Sequence, residues 1–427
     1  MRPELPPATK PFSEEVAPFL SEFVGTYLLV FTIGVCSVAG DSFVNPAAVA
    51  SMLTVLVYAF GPVSGGHLNP AVSVSAGLVG KMSWPKVGAY VLLQMSAGLL
   101  AGTVCFEVFG EPMGVAPVPP FGFRHAAFVE MLYTAMLCFV VLNVTAARNN
   151  NPDGDQNHYF GLAIGFAVVA GGYAAGNISG AVFNPAAALG LDVVGSKSGL
   201  GRGPWGLAYA GAELIGACLA AVLFSACRRE DVMNTSDPAF ETPLSARLVS
   251  EFFGTFMLTL TFGLSVVMKS VATPFSAGAA LICMVYSLGD VSGAHFNPAV
   301  TLAVVLSGRG QCSVGRGLAY CAVQLLAGIV AGMLFAEVQF CGPWKNEDFS
   351  LHPKNGFSWL AVFVAELAFT FLLAFVVLAV ATTRSPHCAS KQNFHFGLAI
   401  GVCVVAGGFA VGAISGASLN PAVAWSL

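Results

Sequence analysis

Long apolar runs alternate with short polar segments along the whole chain. Runs of about 20 residues without charge are long enough to cross a hydrocarbon core of about 30 Å as helices. Six such runs precede a polar stretch at 228–243, and five follow it. The pattern predicts spanning helices near 16–40, 47–63, 83–108, 122–147, 157–177, 201–227, 244–269, 275–290, 313–338, 357–382 and 393–413.

The two series of runs are copies of each other. The segment FGLAIGFAVVAGGYAAGNISGAVFNPA at 160–186 recurs as FGLAIGVCVVAGGFAVGAISGASLNPA at 396–422, and Glu22 corresponds to Glu251. A repeat of this length indicates tandem copies of one domain. The expected organisation is a cytoplasmic N-terminal segment 1–15, copy one at 16–227, a cytoplasmic linker 228–243 and copy two at 244–427.

Each copy also repeats within itself. In copy one, SGGHLNPAV follows the second run and SGAVFNPAA follows the fifth. An odd number of spans separates these segments, so the two halves insert in opposite orientations. Such an inverted repeat places a site near the bilayer midplane.

The Asn-Pro-Ala motifs begin half-length helices. After Asn69 the apolar residues continue only to about Val79, before Lys81. About ten residues make about 15 Å of helix, half of a hydrocarbon core. Asn caps a helix and Pro suits its first position, so two such helices can meet at their positive N-termini. Spare amide N–H groups there suit a neutral molecule with an acceptor oxygen and disfavour cations.

Composition removes several classes of protein. Hydrophobic residues make up 56% of the 427 positions and charged residues 9%, with a mean hydropathy of +0.77. A soluble domain carries about 25% charged residues. The net charge of −4 does not indicate the basic surface that nucleic-acid binding requires. The sequence spacing indicates no nucleophile–base pair, metal site or phosphate loop, so no enzyme activity, metal or cofactor is predicted.

Lysine and arginine predict the orientation. With the N-terminus in the cytoplasm, twelve of these residues fall on inner segments and six on outer ones. The excess of positive charge on inner segments favours a cytoplasmic N-terminus.

With paired Asn-Pro-Ala motifs, six-span spacing, and Glu22, Glu130, Glu251 and Glu366 on first and fourth helices, the chain resembles the aquaporin and glycerol-facilitator family of major intrinsic proteins. The resemblance covers both copies. It implies an all-α membrane protein, a right-handed bundle of six spans and two half-helices per copy. It also implies passive passage of water and small neutral solutes, and a homo-oligomer in the bilayer. Because the family forms tetramers, the tandem chain is expected to form a dimer.

The resemblance assigns roles to particular residues. The pore motifs are Asn69-Pro70-Ala71, Asn184-Pro185-Ala186, Asn297-Pro298-Ala299 and Asn420-Pro421-Ala422. The residues expected to brace the motif loops are Glu22, Glu130, Glu251, Glu366, His67 and His295. A third match, Asn45-Pro46-Ala47, precedes an unbroken apolar run and is interpreted as the capped start of helix two, without a pore role.

The outer filter departs from the family pattern, which usually has Arg after the second motif, with an aromatic residue and often His nearby. Here the filter positions are Val49, Gly172, Ala181 and Ala187 in copy one, and Ala277, Gly408, Ala417 and Val423 in copy two. The interpretation is a wider, more apolar mouth that admits glycerol, urea, ammonia or hydrogen peroxide beside water.

Two other functions compete with a channel. Inverted repeats also build ion-coupled secondary transporters, but these usually have ionisable residues at the midplane, where this chain has neutral motifs. A non-conducting structural protein on the same fold is the second alternative.

Copy two stops seven residues after Asn420. By comparison with 184–227 it lacks most of the second half-helix and the sixth span. An incomplete sequence is expected in preference to a natural stop, and the functional prediction therefore rests on copy one.

Overall fold

The computed structural model describes residues 12–40, 43–110, 114–151, 157–197, 205–233, 240–354, 356–382 and 394–427. Within these ranges all regular structure is helical, and eleven helices are long and apolar enough to cross a membrane. The predicted all-α fold with eleven spans is confirmed. Most of the predicted segment 1–15 and the middle of the predicted linker, 234–239, lie outside the described residues.

Copy one contains six spanning helices and two half-helices. The bounds are α1 Phe12–Ala39, α2 Asn45–Ser64, α3 Pro70–Leu78, α4 Trp84–Phe109, α5 Phe123–Val141 with a π-helical turn Leu142–Ala146, α6 Phe160–Ser179, α7 Pro185–Lys197 and α8 Trp205–Cys227. The half-helices are α3 and α7. We call the face on which α1 begins the inner face and the opposite one the outer face.

Copy two repeats this order. A short helix α9, Arg229–Val232, comes first, followed by α10 Leu244–Val267, α11 Thr273–Ser292, α12 Pro298–Leu306, α13 Val314–Cys341, α14 Trp359–Ala381, α15 Phe396–Ser415 and α16 Pro421–Ser426. The half-helices are α12 and α16. In the described chain, α14 has no counterpart of α8 beside it.

The copies pack along a seam in which α5, α6 and α8 of copy one meet α10 and α11 of copy two. The Tyr133 hydroxyl lies 3.0 Å from Thr261 Oγ1, and the Tyr159 and Tyr286 rings stack with centroids 4.3 Å apart. Helices at this seam are buried over most of their length, because each copy covers the other. The seam therefore joins the copies into one body.

The start of the predicted linker is part of this seam. Arg228 is fully buried, and its guanidinium pairs with the Asp290 carboxylate and donates to Ser287 O at 2.7 Å and Asn143 Oδ1 at 2.8 Å. The first residue of the predicted linker therefore packs against copy two through a buried cation, and the linker 228–243 stays a prediction.

Candidate functional site

A glycine ends each helix that leads into a motif loop. Gly65, Gly180, Gly293 and Gly416 adopt φ values of 97°, 91°, 94° and 91° at the ends of α2, α6, α11 and α15. Glycine tolerates this left-handed conformation, which stops a helix by closing its last turn. The loop that follows is thus turned back toward the middle of the protein.

The loop residues before each asparagine carry backbone strain. Leu68, Phe183, Phe296 and Leu419, each directly before a motif asparagine, have φ values of 52°, 52°, 50° and 49°. For residues with a Cβ this region costs on the order of 1–3 kcal/mol. Such strain persists only where surrounding contacts fix the backbone.

The motif asparagines cap the half-helices. Asn69 Oδ1 accepts from Ala71 N at 2.9 Å, and Asn184 Oδ1 accepts from Ala186 N at 3.0 Å. Asn297 and Asn420 make the same bonds in copy two at 2.8 and 2.9 Å. Each half-helix therefore begins at its motif, with its positive end at the middle of the copy.

The two motifs of a copy are bonded across to each other. Asn69 Nδ2 donates to Phe183 O at 2.8 Å, and Asn184 Nδ2 donates to Leu68 O at 3.0 Å. In copy two the bonds are Asn297 Nδ2 to Leu419 O at 2.9 Å and Asn420 Nδ2 to Phe296 O at 2.8 Å. An amide carries two N–H groups, so each asparagine keeps one N–H outside these crossed bonds.

A buried carboxylate fixes the first loop of copy one. Glu22 accepts from Ser64 Oγ at 2.6 Å, His67 N at 3.0 Å, Leu68 N at 2.8 Å and Gln94 Nε2 at 2.8 Å. Its side chain is 0% exposed. These bonds oppose the strain at Leu68, because they hold its own amide and that of His67 before it.

The other three glutamates bind their own loops in the same way. Glu130 accepts from Val182 N and Phe183 N at 3.0 and 2.8 Å. Glu251 accepts from His295 N, Phe296 N and Gln324 Nε2, whereas Glu366 accepts from Leu419 N and Ser418 Oγ. Glu130 and Glu251 are 0% exposed, but Glu366 is only half-buried.

Sequence comparison alone missed Glu213. This residue of α8 is 0% exposed, and its Oε1 accepts from Asn184 N at 2.9 Å. Its Oε2 is also buried, and its carboxyl group lies beside that of Glu130. A carboxyl group in the middle of an apolar sixth span was the available signal, since such groups are rare in membranes without a role.

Apolar side chains and the motif loops form a central cavity in each copy. In copy one the wall includes Leu53, Val72 and Ile164, and Asn69 and Asn184 provide its amide groups. The corresponding cavity of copy two is lined by Leu281, Val300, Ile400, Asn297 and Asn420, among others. One polar track therefore runs along an otherwise apolar wall in each copy.

The predicted filter positions lie in different surroundings. Val49 and Ala181 line both the central cavity of copy one and the wider cavity at its outer face, and Gly172 lines the outer one. Ala187 is fully buried and packs in a cluster with Val30 and other apolar side chains. In copy two, Ala277, Ala417 and Val423 line the central cavity.

The predicted filter residue on the fifth span of each copy is glycine, because a proline of the second span packs against it. A Cβ built on Gly172 would lie 2.7 Å from Pro46 Cβ, and one on Gly408 would lie 2.6 Å from Pro274 Cβ. The prolines at the start of the second spans leave no room for an aromatic residue or histidine there. At both positions the fifth and second spans pack so closely that only glycine fits.

The structure corrects the interpretation of Asn45 and Pro46. Helix α2 begins at Asn45. The Asn45 side chain donates to Cys36 O at 2.9 Å and does not cap the helix. Both residues line the outer cavity of copy one. Residues of copy two line it as well, from Met268 to Val271.

The two predicted histidines lie in the loops that Glu22 and Glu251 hold. His67 lines the central cavity of copy one, with Nδ1 3.1 Å from Ser73 Oγ. His295 lines that of copy two, with Nδ1 3.1 Å from Thr301 Oγ1. Both rings are therefore positioned by the first turn of a half-helix.

The chain is similar to known membrane proteins. The sequence profile described as "Major intrinsic protein" matches residues 11–224, 159–274 and 263–426. Aquaporin NIP1-4 of Oryza sativa subsp. japonica is 35% identical over 186 residues, which are 42% of this chain and 66% of the rice protein. Glycerol uptake facilitator protein-like 6 of Lactiplantibacillus plantarum is 32% identical over 228 residues, 51% of this chain and 99% of that protein. The aquaglyceroporin structure from Plasmodium falciparum matches with 19% identity and a TM-score of 0.45, over 52% of this chain and 99% of that one.

Proposed function

The chain belongs to the major intrinsic protein family, and on this premise we propose that solutes cross each copy along the paired asparagines. It is an integral multi-pass membrane protein and a channel for water and small solutes, not an enzyme. The proposed pore residues are the four Asn-Pro-Ala motifs and the loops before them.

The single observation that carries this proposal is the crossed bonding of the asparagines. Each Nδ2 is fixed by the carbonyl before the opposite motif, so its second N–H has a defined direction. A water molecule or hydroxyl oxygen can accept from both asparagines in turn while the apolar wall offers it no competing partner. The positive ends of the two half-helices oppose cations at the same point.

We further propose that the pore accepts small neutral solutes beside water. The predicted filter residues of copy one carry neither charge nor a bulky ring: Val49, Gly172, Ala181 and Ala187. The rice relative is named an aquaporin and the bacterial one a glycerol uptake facilitator. These names agree with a pore for water and small neutral solutes. Glycerol, urea, ammonia and hydrogen peroxide are the candidates.

Swelling of proteoliposomes followed by stopped-flow light scattering tests the pore. We expect Asn69→Asp with Asn297→Asp to abolish water permeability above that of empty liposomes, because a carboxylate removes the amide donors and binds cations. Asn346→Asp, a change in an exposed loop, is the matched control and should conduct like the wild type. Equal permeability of all three proteins would favour a non-conducting structural role.

The same liposomes test the solutes and the transporter alternative. Glycerol and urea gradients should produce swelling that rises linearly with the gradient. Flux that saturates and follows an imposed ion gradient would instead indicate an ion-coupled transporter.

We also propose that two chains assemble into a ring of four channel units. At the seam, α10 and α11 cover α5 and α6, whereas their counterparts at the chain's two ends, α1 with α2 and α14 with α15, expose apolar side chains such as Val55 and Phe371. A second chain, turned by half a revolution, would cover both ends. Native mass spectrometry should give two chains per particle, and a single chain would contradict the ring.

A further inference from the structure

A mixed cluster of metal-binding side chains joins the two copies at the outer face. His125 lies in the first turn of α5, and Glu337 and Cys341 lie in the last turns of α13. His125 Nε2 or Nδ1, a Glu337 carboxylate oxygen and Cys341 Sγ lie within 4.8 Å of one another. Glu337 and Cys341 are four residues apart, so one face of α13 presents both.

The histidine of this cluster is buried with an unused ring nitrogen. His125 is 8% exposed, and its Nε2 has no hydrogen-bond partner. A buried polar atom without a partner costs about 1–3 kcal/mol. A ligand that bonds this nitrogen would therefore relieve a penalty that the described contacts leave in place.

We propose that His125, Glu337 and Cys341 bind a borderline-soft divalent cation such as Zn²⁺. Imidazole, thiolate and carboxylate are all zinc ligands, and three protein ligands leave the fourth position for water. Bonds of about 2.0–2.3 Å place tetrahedral ligand atoms roughly 3.3–3.8 Å apart, so the donors close by about 1 Å. Rotation of Glu337, whose side chain is 58% exposed, and of the half-buried Cys341 can provide this movement.

Arg124 competes with the cation for two of the donors. Its Nη2 lies 3.4 Å from Glu337 Oε1 and 3.8 Å from Cys341 Sγ. The Arg124 side chain is 74% exposed, so it can turn out to solvent when a cation binds. Binding through Nε2 also places the ring proton on Nδ1, which gives up the 3.4 Å contact with Gly122 N.

The site would connect copy one to copy two by coordination bonds outside both pores. One ligand comes from α5 and two from α13, so an ion bound here resists separation of the copies.

Titration of the full chain with Zn²⁺ alone, purified in detergent without a polyhistidine tag, tests the site by calorimetry. We expect His125→Ala and Cys341→Ser each to weaken binding at least tenfold, the lower end of what even outer-shell changes cause. Arg124→Gln should tighten binding, because it removes the competing charge. His158→Ala with Cys218→Ser removes an exposed histidine and an exposed cysteine elsewhere and should leave the affinity unchanged.

Cobalt gives a second readout that does not depend on affinity. Co²⁺ bound by the wild type should show a thiolate charge-transfer band, which Cys341→Ser abolishes while the control double variant keeps it. Unchanged Zn²⁺ affinity in His125→Ala and Cys341→Ser proteins that remain monodisperse would overturn the proposal. Absence of the cobalt band in the wild type, or no tightening in Arg124→Gln, would overturn it as well.

Discussion

The first loops of the two copies are nearly identical, whereas the second loops differ. Glu22 and Glu251 are both 0% exposed and make matching bonds to a serine, two amides and a glutamine. Glu130 is equally buried, but Glu366 is half-buried. The same repeated sequence therefore produces different environments in the two copies.

The difference follows from the neighbours of α5 and α14. Helix α8 packs against α5, α7 and α3, covers Glu130 and provides Glu213 to the backbone of Asn184. In the described chain nothing corresponding covers α14. A sixth span thus does more than close the bundle, because it holds the backbone of a motif asparagine.

The largest expected effect comes from removing a bracing carboxylate. Glu22→Ala leaves four buried donors without their acceptor, and at about 1–3 kcal/mol each this destabilises the fold by several kcal/mol. Glu366→Ala should cost less, since Glu366 holds three donors, of which one is a backbone amide, whereas Glu22 holds two backbone amides. Thermal unfolding in detergent measures both, with the exposed Glu15→Ala as control. A larger loss for Glu366→Ala would contradict the role given to the bonded backbone amides.

The next effect concerns the seam. Arg228→Met strands Asp290 and Asn143 Oδ1, and breaking a buried pair costs about 3–5 kcal/mol. The neighbouring Arg229 is exposed, so Arg229→Met is the matched control and should be near neutral. The double variant Arg228→Met with Asp290→Leu should recover most of the melting temperature. Equal melting temperatures for the two single variants would show that the pair does not hold the copies together.

The smallest effect tests the contribution of α8. Glu213→Leu removes the acceptor of Asn184 N, worth about 1–3 kcal/mol. We expect a modest loss of stability and slower swelling through copy one, measured with Asn297→Asp present to silence copy two. Glu213→Gln keeps an acceptor oxygen and should behave like the parent protein. Identical results for Leu and Gln would exclude a role for this hydrogen bond.

Local patterns predicted most of the fold. The spans were predicted within a few residues, as for α13, expected at 313–338 and found at Val314–Cys341, because long apolar runs depend on lipid rather than on distant contacts. The half-helix after Asn69 was predicted for the same reason, since Pro, Asn and a short run act locally.

Contacts between distant segments could not be predicted in this way. Glu213 meets Asn184 and Arg228 meets Asp290 only once helices pack side by side. One signal was available for the seam: Asp290 stands where copy one has Pro62, and a new charge in a repeat needs a partner. The cluster of His125 with Cys341 had no such signal, because more than 200 residues separate its members.

The crossed asparagine bonds have a consequence for synthesis in the cell. Asn69 Nδ2 bonds to Phe183 O, 114 residues later in the chain. At about 5–20 residues per second, the ribosome needs roughly 6–23 seconds to make that partner. During this interval the Asn69 amide has no partner for this bond inside the membrane, where unpaired polar groups are costly. We therefore expect the first half-helix to enter fully only after the second has arrived, so that insertion of the two halves is one concerted event.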